Sequence, residues 1–402
     1  MKKINLVLIL AVFILSACNH GFEKNNSNST PSDPALTASM QGLKNNLSHL
    51  LPIVINQKKF NLTENQQTIS DEIKNLYQIS KAVVHTKSVQ QTDPSLRFIS
   101  TAFSEDLKRA SDSFEAGQKE YARYTIMNTT AYCIECHTRT SSGPEFSTPE
   151  LEKSLVDLKK IEKAEYHLAT RQFDQALIEF ESAIHENLQD KGNLFDLDKA
   201  VRHSLAITIR FQKNADKAKK IVQLIKNSNK APYFLKQSAN AWDLSIQKWQ
   251  KEKPVKLNLK KSSGLSEAIK FVQGLVDQGR KSQYGIADRG GDIYFLRALS
   301  DLHLILVEDL KLEQLGQALY LTAVSYEAIR DLSLWSLHES YYESCIRQVP
   351  HSKWSAMCYQ NLEESIYFGY TGSGGIQIPL DVQMKLNELH KLAISDQSPD
   401  RH

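Results

Sequence analysis

Apolar residues recur at helical spacing along almost the whole chain, and the strict alternation of a half-buried strand is nearly missing from the sequence. Between Asn45 and Ile55, Leu47, Leu50, Leu51 and Val54 fall on one face, and Met40 and Leu43 extend that stripe backwards. Ile69, Ile73, Leu76 and Ile79 predict a second helix over about 64–84, and Phe98, Ile99, Phe103 and Leu107 a third over about 96–114, closed by Gly117. A fourth starts at Lys119, continues through Ile126, and stops at Ser141-Ser142-Gly143-Pro144. Four helices joined by modest loops predict an up-down four-helix bundle over 37–146.

From Thr148 onward the pattern is helix after helix. Periodicity places further helices near 193–213, 214–227, 231–250, 264–280, 290–309, 313–328, 332–348, 352–369 and 381–393. Ala164, Phe173, Ala176, Phe180 and Ala183 resemble a tetratricopeptide repeat, where small residues let paired helices approach and aromatic residues fill the gap. His167 stands where that family has tyrosine, and a glycine and a terminal proline are missing, so the repeat is degenerate. Trp335, Tyr342, Cys345 and Pro350 fall at similar offsets. The expected fold is therefore all-α, a four-helix bundle followed by an α-solenoid over 148–250 and 264–393, with a short tail at 394–402. The stretch from Lys251 to Gly264 reads as a linker and Tyr370-Thr371-Gly372-Ser373-Gly374-Gly375 as a loop.

Composition agrees with helices: 402 residues hold only 16 Gly and 11 Pro. Charge is nearly balanced, 49 Lys and Arg against 46 Asp and Glu, which argues against a nucleic-acid binder. The ends of the chain differ from its middle. Lys2 and Lys3 precede an apolar run to Leu15, then Ser16, Ala17 and Cys18, the layout of an export signal over 1–17. The run is shorter than the roughly 20 residues that span a bilayer. Leu15-Ser16-Ala17-Cys18 resembles the lipobox of bacterial lipoproteins. That resemblance implies a diacylated Cys18, anchorage on the periplasmic side of a bacterial membrane and, because Asn19 follows, the outer membrane. Residues 18–36 are rich in Asn, Ser, Thr and Pro and read as a flexible tether.

Cys133-Ile134-Glu135-Cys136-His137 matches C-x-x-C-H, the attachment sequence of c-type haem, a pattern this composition would produce by chance about 0.002 times. Thiols three positions apart on a helical turn can both reach the vinyl groups of one haem as thioethers, and the adjacent His137 then meets the iron as proximal ligand. A redox dithiol would not need His137, and a zinc site would need a second ligand pair. The placement of the motif in the last helix of the bundle resembles the cytochrome c-prime class over about 37–143. The resemblance implies one covalent haem c, Arg139 near a propionate, and a distal face covered by a residue of the first helix. Met40, Leu43 and Leu47 occupy that region. Met40, His49 and His85 are the candidate distal ligands, beside the alternative of no protein ligand at all.

Cys345 and Cys358 remain, on consecutive expected helices either side of Val349-Pro350-His351, either bridged or as two buried thiols. No nucleophile elbow, zinc-protease motif or dinucleotide fingerprint occurs. The expected function is an exported, membrane-anchored c-type haem protein for one-electron transfer, a carrier rather than a catalyst, docked on a redox partner by its helical repeats. The alternative is a periplasmic interaction module with haem as gas or redox sensor.

Overall fold

Asp33 caps the first helix by accepting the amide hydrogens of Ala35 (3.0 Å) and Leu36 (3.3 Å), and Pro34 presets its first turn. In the computed structural model, which describes residues 33–91, 94–137, 147–189, 192–255, 257–283, 289–329 and 336–394, this helix, α1, runs Pro34–Ile55. The signal, Cys18, Arg139 and Trp335 lie outside the described residues. After α1 come α2 (Gln57–Phe60), α3 (Gln66–Val84), α4 (Lys87–Gln91), α5 (Pro94–Glu115), α6 (Lys119–Asn128) and α7 (Thr130–His137). Leu50 and Val54, Ile69 and Ile73, Leu107, and Ile126 bring α1, α3, α5 and α6 into one apolar core. Burying each such side chain is worth about 1.5–3 kcal/mol.

The fourth expected helix is two helices. Thr129 turns its hydroxyl back to the Ile126 carbonyl (2.6 Å), a local bond that competes with continuing the ladder. The break re-aims the chain. Ile134 on α7 is buried in the core of the later helices, not in the first core.

Those later helices are α8 (Pro149–Ser154), α9 (Lys160–Ala169), α10 (Phe173–Asn187), α11 (Leu194–Ala206), α12 (Ala215–Asn227), α13 (Tyr233–Lys251), α14 (Ser262–Ser282), α15 (Asp292–Ile305), α16 (Leu312–Ala328), α17 (Leu337–Gln348), α18 (Lys353–Gly369) and α19 (Leu380–Ala393). A π-helical turn, Ile207–Phe211, extends α11. Consecutive members pack in pairs, α9 with α10, α12 with α13, α14 with α15, α16 with α17 and α17 with α18. Of the repeat-like residues, Ala164, Ala176, Phe180 and Ala183 have no exposed surface and Phe173 is half-buried. One apolar core continues on both sides of 251–263, reaching Ala393 and taking in Ile99 and Ile134 from the first helices. The expected loop after α18 carries a small hairpin, β1 (Thr371–Gly372) against antiparallel β2 (Gly375–Ile376). Gly375 sits at φ +96°, a conformation that suits glycine.

The chain is thus all-α apart from that hairpin among the described residues, and none of its described helices is long and apolar enough to cross a membrane. Besides Ile134, further contacts join the first helices to the rest. Leu51 and Ile55 of α1 pack with Leu155 and Tyr166, and the Tyr341 hydroxyl of α17 bonds Ser95 Oγ at the start of α5 (2.7 Å).

Candidate functional site

The C-x-x-C-H segment forms the last five residues of α7, so Cys133 and Cys136 stand about one helical turn apart, both half-buried. Ile134 and Glu135 between them are buried, which fixes the rotation of the helix. Burial pushes the Cys133 thiol up to about 11, so it is protonated at neutral pH and a poor nucleophile toward disulfides.

His137 closes α7. Its Nδ1 lies 2.7 Å from the carbonyl oxygen of Ala169, at the end of α9. A carbonyl only accepts, so Nδ1 carries the hydrogen and the lone pair resides on Nε2, the tautomer that ligates a metal through Nε2. Desolvation holds the ring below the usual imidazole range, with the Ala169 bond opposing and the Arg171 charge assisting, so the ring is neutral at pH 7. The Arg171 guanidinium donates to the His137 carbonyl.

Beside Cys133 a cleft separates α1 from α9. Leu47 and Leu51 line one side, Tyr166, Ala169 and Thr170 the other. The walls are mostly apolar and stand close, leaving about 30 Å³ open, room for about one water. Burial keeps the Tyr166 phenol protonated, above its usual range.

The structure brings together Cys133, Cys136 and His137, with Leu47 of the first helix on the cleft. It places the other candidates elsewhere. Met40 is half-buried against the first core. His49 is exposed, its Nδ1 3.5 Å from Glu72. His85 ends α3 and is exposed. None of these three lines the cleft at Cys133. Cys345 and Cys358 are joined as a disulfide between α17 and α18, Cα to Cα 6.4 Å.

The donor set suits c-type haem: two thiols at thioether spacing and a neutral imidazole with its tautomer fixed. The cleft suits one less well as it stands, since α1 and α9 must part for a porphyrin to enter. Among the described residues, no three His, Cys, Asp or Glu side chains gather as they would around a bare metal ion. Sequence reasoning missed Tyr166, Ala169 and Arg171. They lie about 30 positions beyond the motif, and a backbone carbonyl such as that of Ala169 has no sequence signature. A scan of protein-family models and searches of curated proteins and of solved structures find no match to the chain.

Proposed function

We propose that this is an exported, lipid-anchored c-type haem protein that transfers single electrons. The observation that carries the reading is the conjunction at the end of α7: two half-buried thiols one turn apart, followed by a histidine whose Nδ1–H bonds a carbonyl. Haem would supply a one-electron iron couple. Cys133 and Cys136 would hold it covalently, His137 would orient on the iron, and Leu47 and Leu51 would exclude water from its face. In this reading the helices of 37–146 carry the haem, with α7 shared between the two cores, and those of 148–393 form an α-solenoid on which a redox partner docks. The leader at 1–17 and Cys18 fit export and a membrane anchor on the periplasmic side, with the outer membrane favoured. Export also fits the chemistry, because c-type haem is attached outside the cytoplasm.

The test is an absorption spectrum, oxidised and reduced, of protein co-expressed with haem-attachment machinery, with mass analysis of the peptide holding Cys133 and Cys136. Covalent haem and rapid electron exchange with an exogenous acceptor are expected; a spectrum without a Soret band would sink the reading. Cys18→Ser is expected to move the protein from the membrane to the soluble fraction.

One observation favours the second reading, a gas or redox sensor. The wall of α1 at the Cys133 cleft carries Lys44, Leu47, Ser48 and Leu51, and neither methionine nor histidine. An open sixth position would bind small gases. Carbon monoxide binding to the ferrous protein separates the two, since a firmly bound sixth ligand slows or blocks it.

A further inference from the structure

We infer that Arg171 is a positioning residue for the haem ligand His137, and that the turn between α9 and α10, part of the helical array, completes the haem site. The inference rests on the haem reading above. Three observations carry it.

The first is a two-point grip. The turn holds the His137 ring through the Ala169 carbonyl and the His137 backbone through the Arg171 guanidinium. His137 is the last residue of α7, so its carbonyl is among those that a helix end leaves without an intrahelical partner. An arginine can cap such a carbonyl. Fixing the ring alone would leave the helix end free to fray and carry the imidazole with it.

The second is the backbone of Arg171 itself. α9 ends at Ala169, Thr170 is its cap, and Arg171 follows at φ +64°. Glycine is the usual residue at that position, because a Cβ is crowded in the left-handed region. Lys213 and His351 also take positive φ, so the conformation gains weight at Arg171 through the bond its guanidinium makes to His137.

The third is how the side chain is held. Arg171 is buried, and its guanidinium lies over the Phe173 ring, 5.2 Å from the centroid. Phe173 is in turn stacked on Phe211 at 4.4 Å. The π-helical turn that bears Phe211 and the hairpin α9–α10 therefore fix the donor before it meets His137. Support of this kind around a metal ligand is typically worth about 10–100-fold in metal affinity or activity.

The test uses the full-length, haem-loaded protein with Arg171→Gly and Arg171→Lys. Glycine suits φ +64°, so Arg171→Gly removes the guanidinium and keeps the turn; lysine keeps charge without the fork. The readout is the iron–imidazole stretching band of the ferrous protein by resonance Raman, beside far-UV circular dichroism. A single narrow band is expected for the native protein. A shifted or split band is expected for Arg171→Gly at native helix content, with Arg171→Lys between the two. An unchanged band in a folded, loaded Arg171→Gly protein would overturn the inference and leave the haem reading standing. If Arg171→Gly does not fold, Arg171→Asn, which tolerates the same φ, is read the same way. Native protein that carries no haem on Cys133 and Cys136 would overturn both, and this is seen before any variant is made.

Discussion

Asp292 opens α15 in a fully buried position near Arg202 and Arg289. Desolvation raises its carboxyl to about 6 from 3.8, against the opposing pull of Arg202, Arg289 and Trp242 and with a small push from Asp198. The folded protein therefore holds a proton that the unfolded chain has lost between about pH 4 and 6. Stability from this group is full below about pH 4 and falls as pH rises to 6. A rise of about two pH units is worth at most about 3 kcal/mol. Asp292→Asn is expected to flatten the stability profile by about one proton across that window, read from urea titrations at pH 4, 5, 6 and 7. A profile that stays as steep would show that the carboxyl ionises normally. Leu47 and Met40 separate on similar grounds. Leu47 lines the cleft and Met40 packs on the first core. If the cleft at Cys133 takes the proposed haem, Met40→Leu is expected to leave the reduced and oxidised spectra unchanged, whereas Leu47→Met would bring a thioether into the cleft and shift the spectrum toward low spin. Loss of a low-spin spectrum in Met40→Leu would place the distal ligand at Met40.

At the scale of elements, the disulfide is the simplest to test. Closing the 13-residue separation between Cys345 and Cys358 restrains the unfolded chain by about 3 kcal/mol. The double variant Cys345→Ser, Cys358→Ser is expected to lose about that much, plus the cost of two hydroxyls in a buried site, with the melting of α17–α19 first to suffer. An unaltered denaturation midpoint would mean the bridge contributes nothing. The elements themselves were largely legible: nearly every helix after 190 starts and ends within a few residues of its expected span, because most are amphipathic with the stripe on one core, while α15 and the second half of α16 are buried nearly all round. What was not legible came from local competition and long-range contact. The hydroxyl of Thr129 ends α6 although the apolar stripe runs on. The π turn at Ile207–Phe211 is hidden inside a stripe that reads as one helix. The C-x-x-C-H pattern stands in the sequence itself, but its setting does not, since a four-helix unit would bury α7 in the first core and the chain buries Ile134 in the second.

At the scale of the molecule, α7 is the splice between the two cores. It packs against α5 on one side and α9 on the other, and α17 returns to touch α5 through Tyr341 and Ser95. A cofactor bound at α7 cannot then stabilise the first helices alone. Whatever binds the native state and not the unfolded one stabilises every element that must be folded for binding. His137 requires Ala169 in place, so the hairpin α9–α10 belongs to that set. Loading is therefore expected to raise amide-exchange protection in α9 and α10 as well as in α1 and α7, by at least about tenfold for each 1.4 kcal/mol of binding energy shared. The comparison is the loaded native protein against Cys133→Ala, Cys136→Ala, which leaves His137 and the turn intact but has no thiol to hold haem. Protection that changes only within 33–137 would mean the two cores open independently, and that the grip on His137 is contact without coupling. Protection that falls through α9 and α10 while α14–α19 hold would set the limit of the cooperative unit, and would make the first helical pair of the array part of the haem protein rather than part of its docking surface.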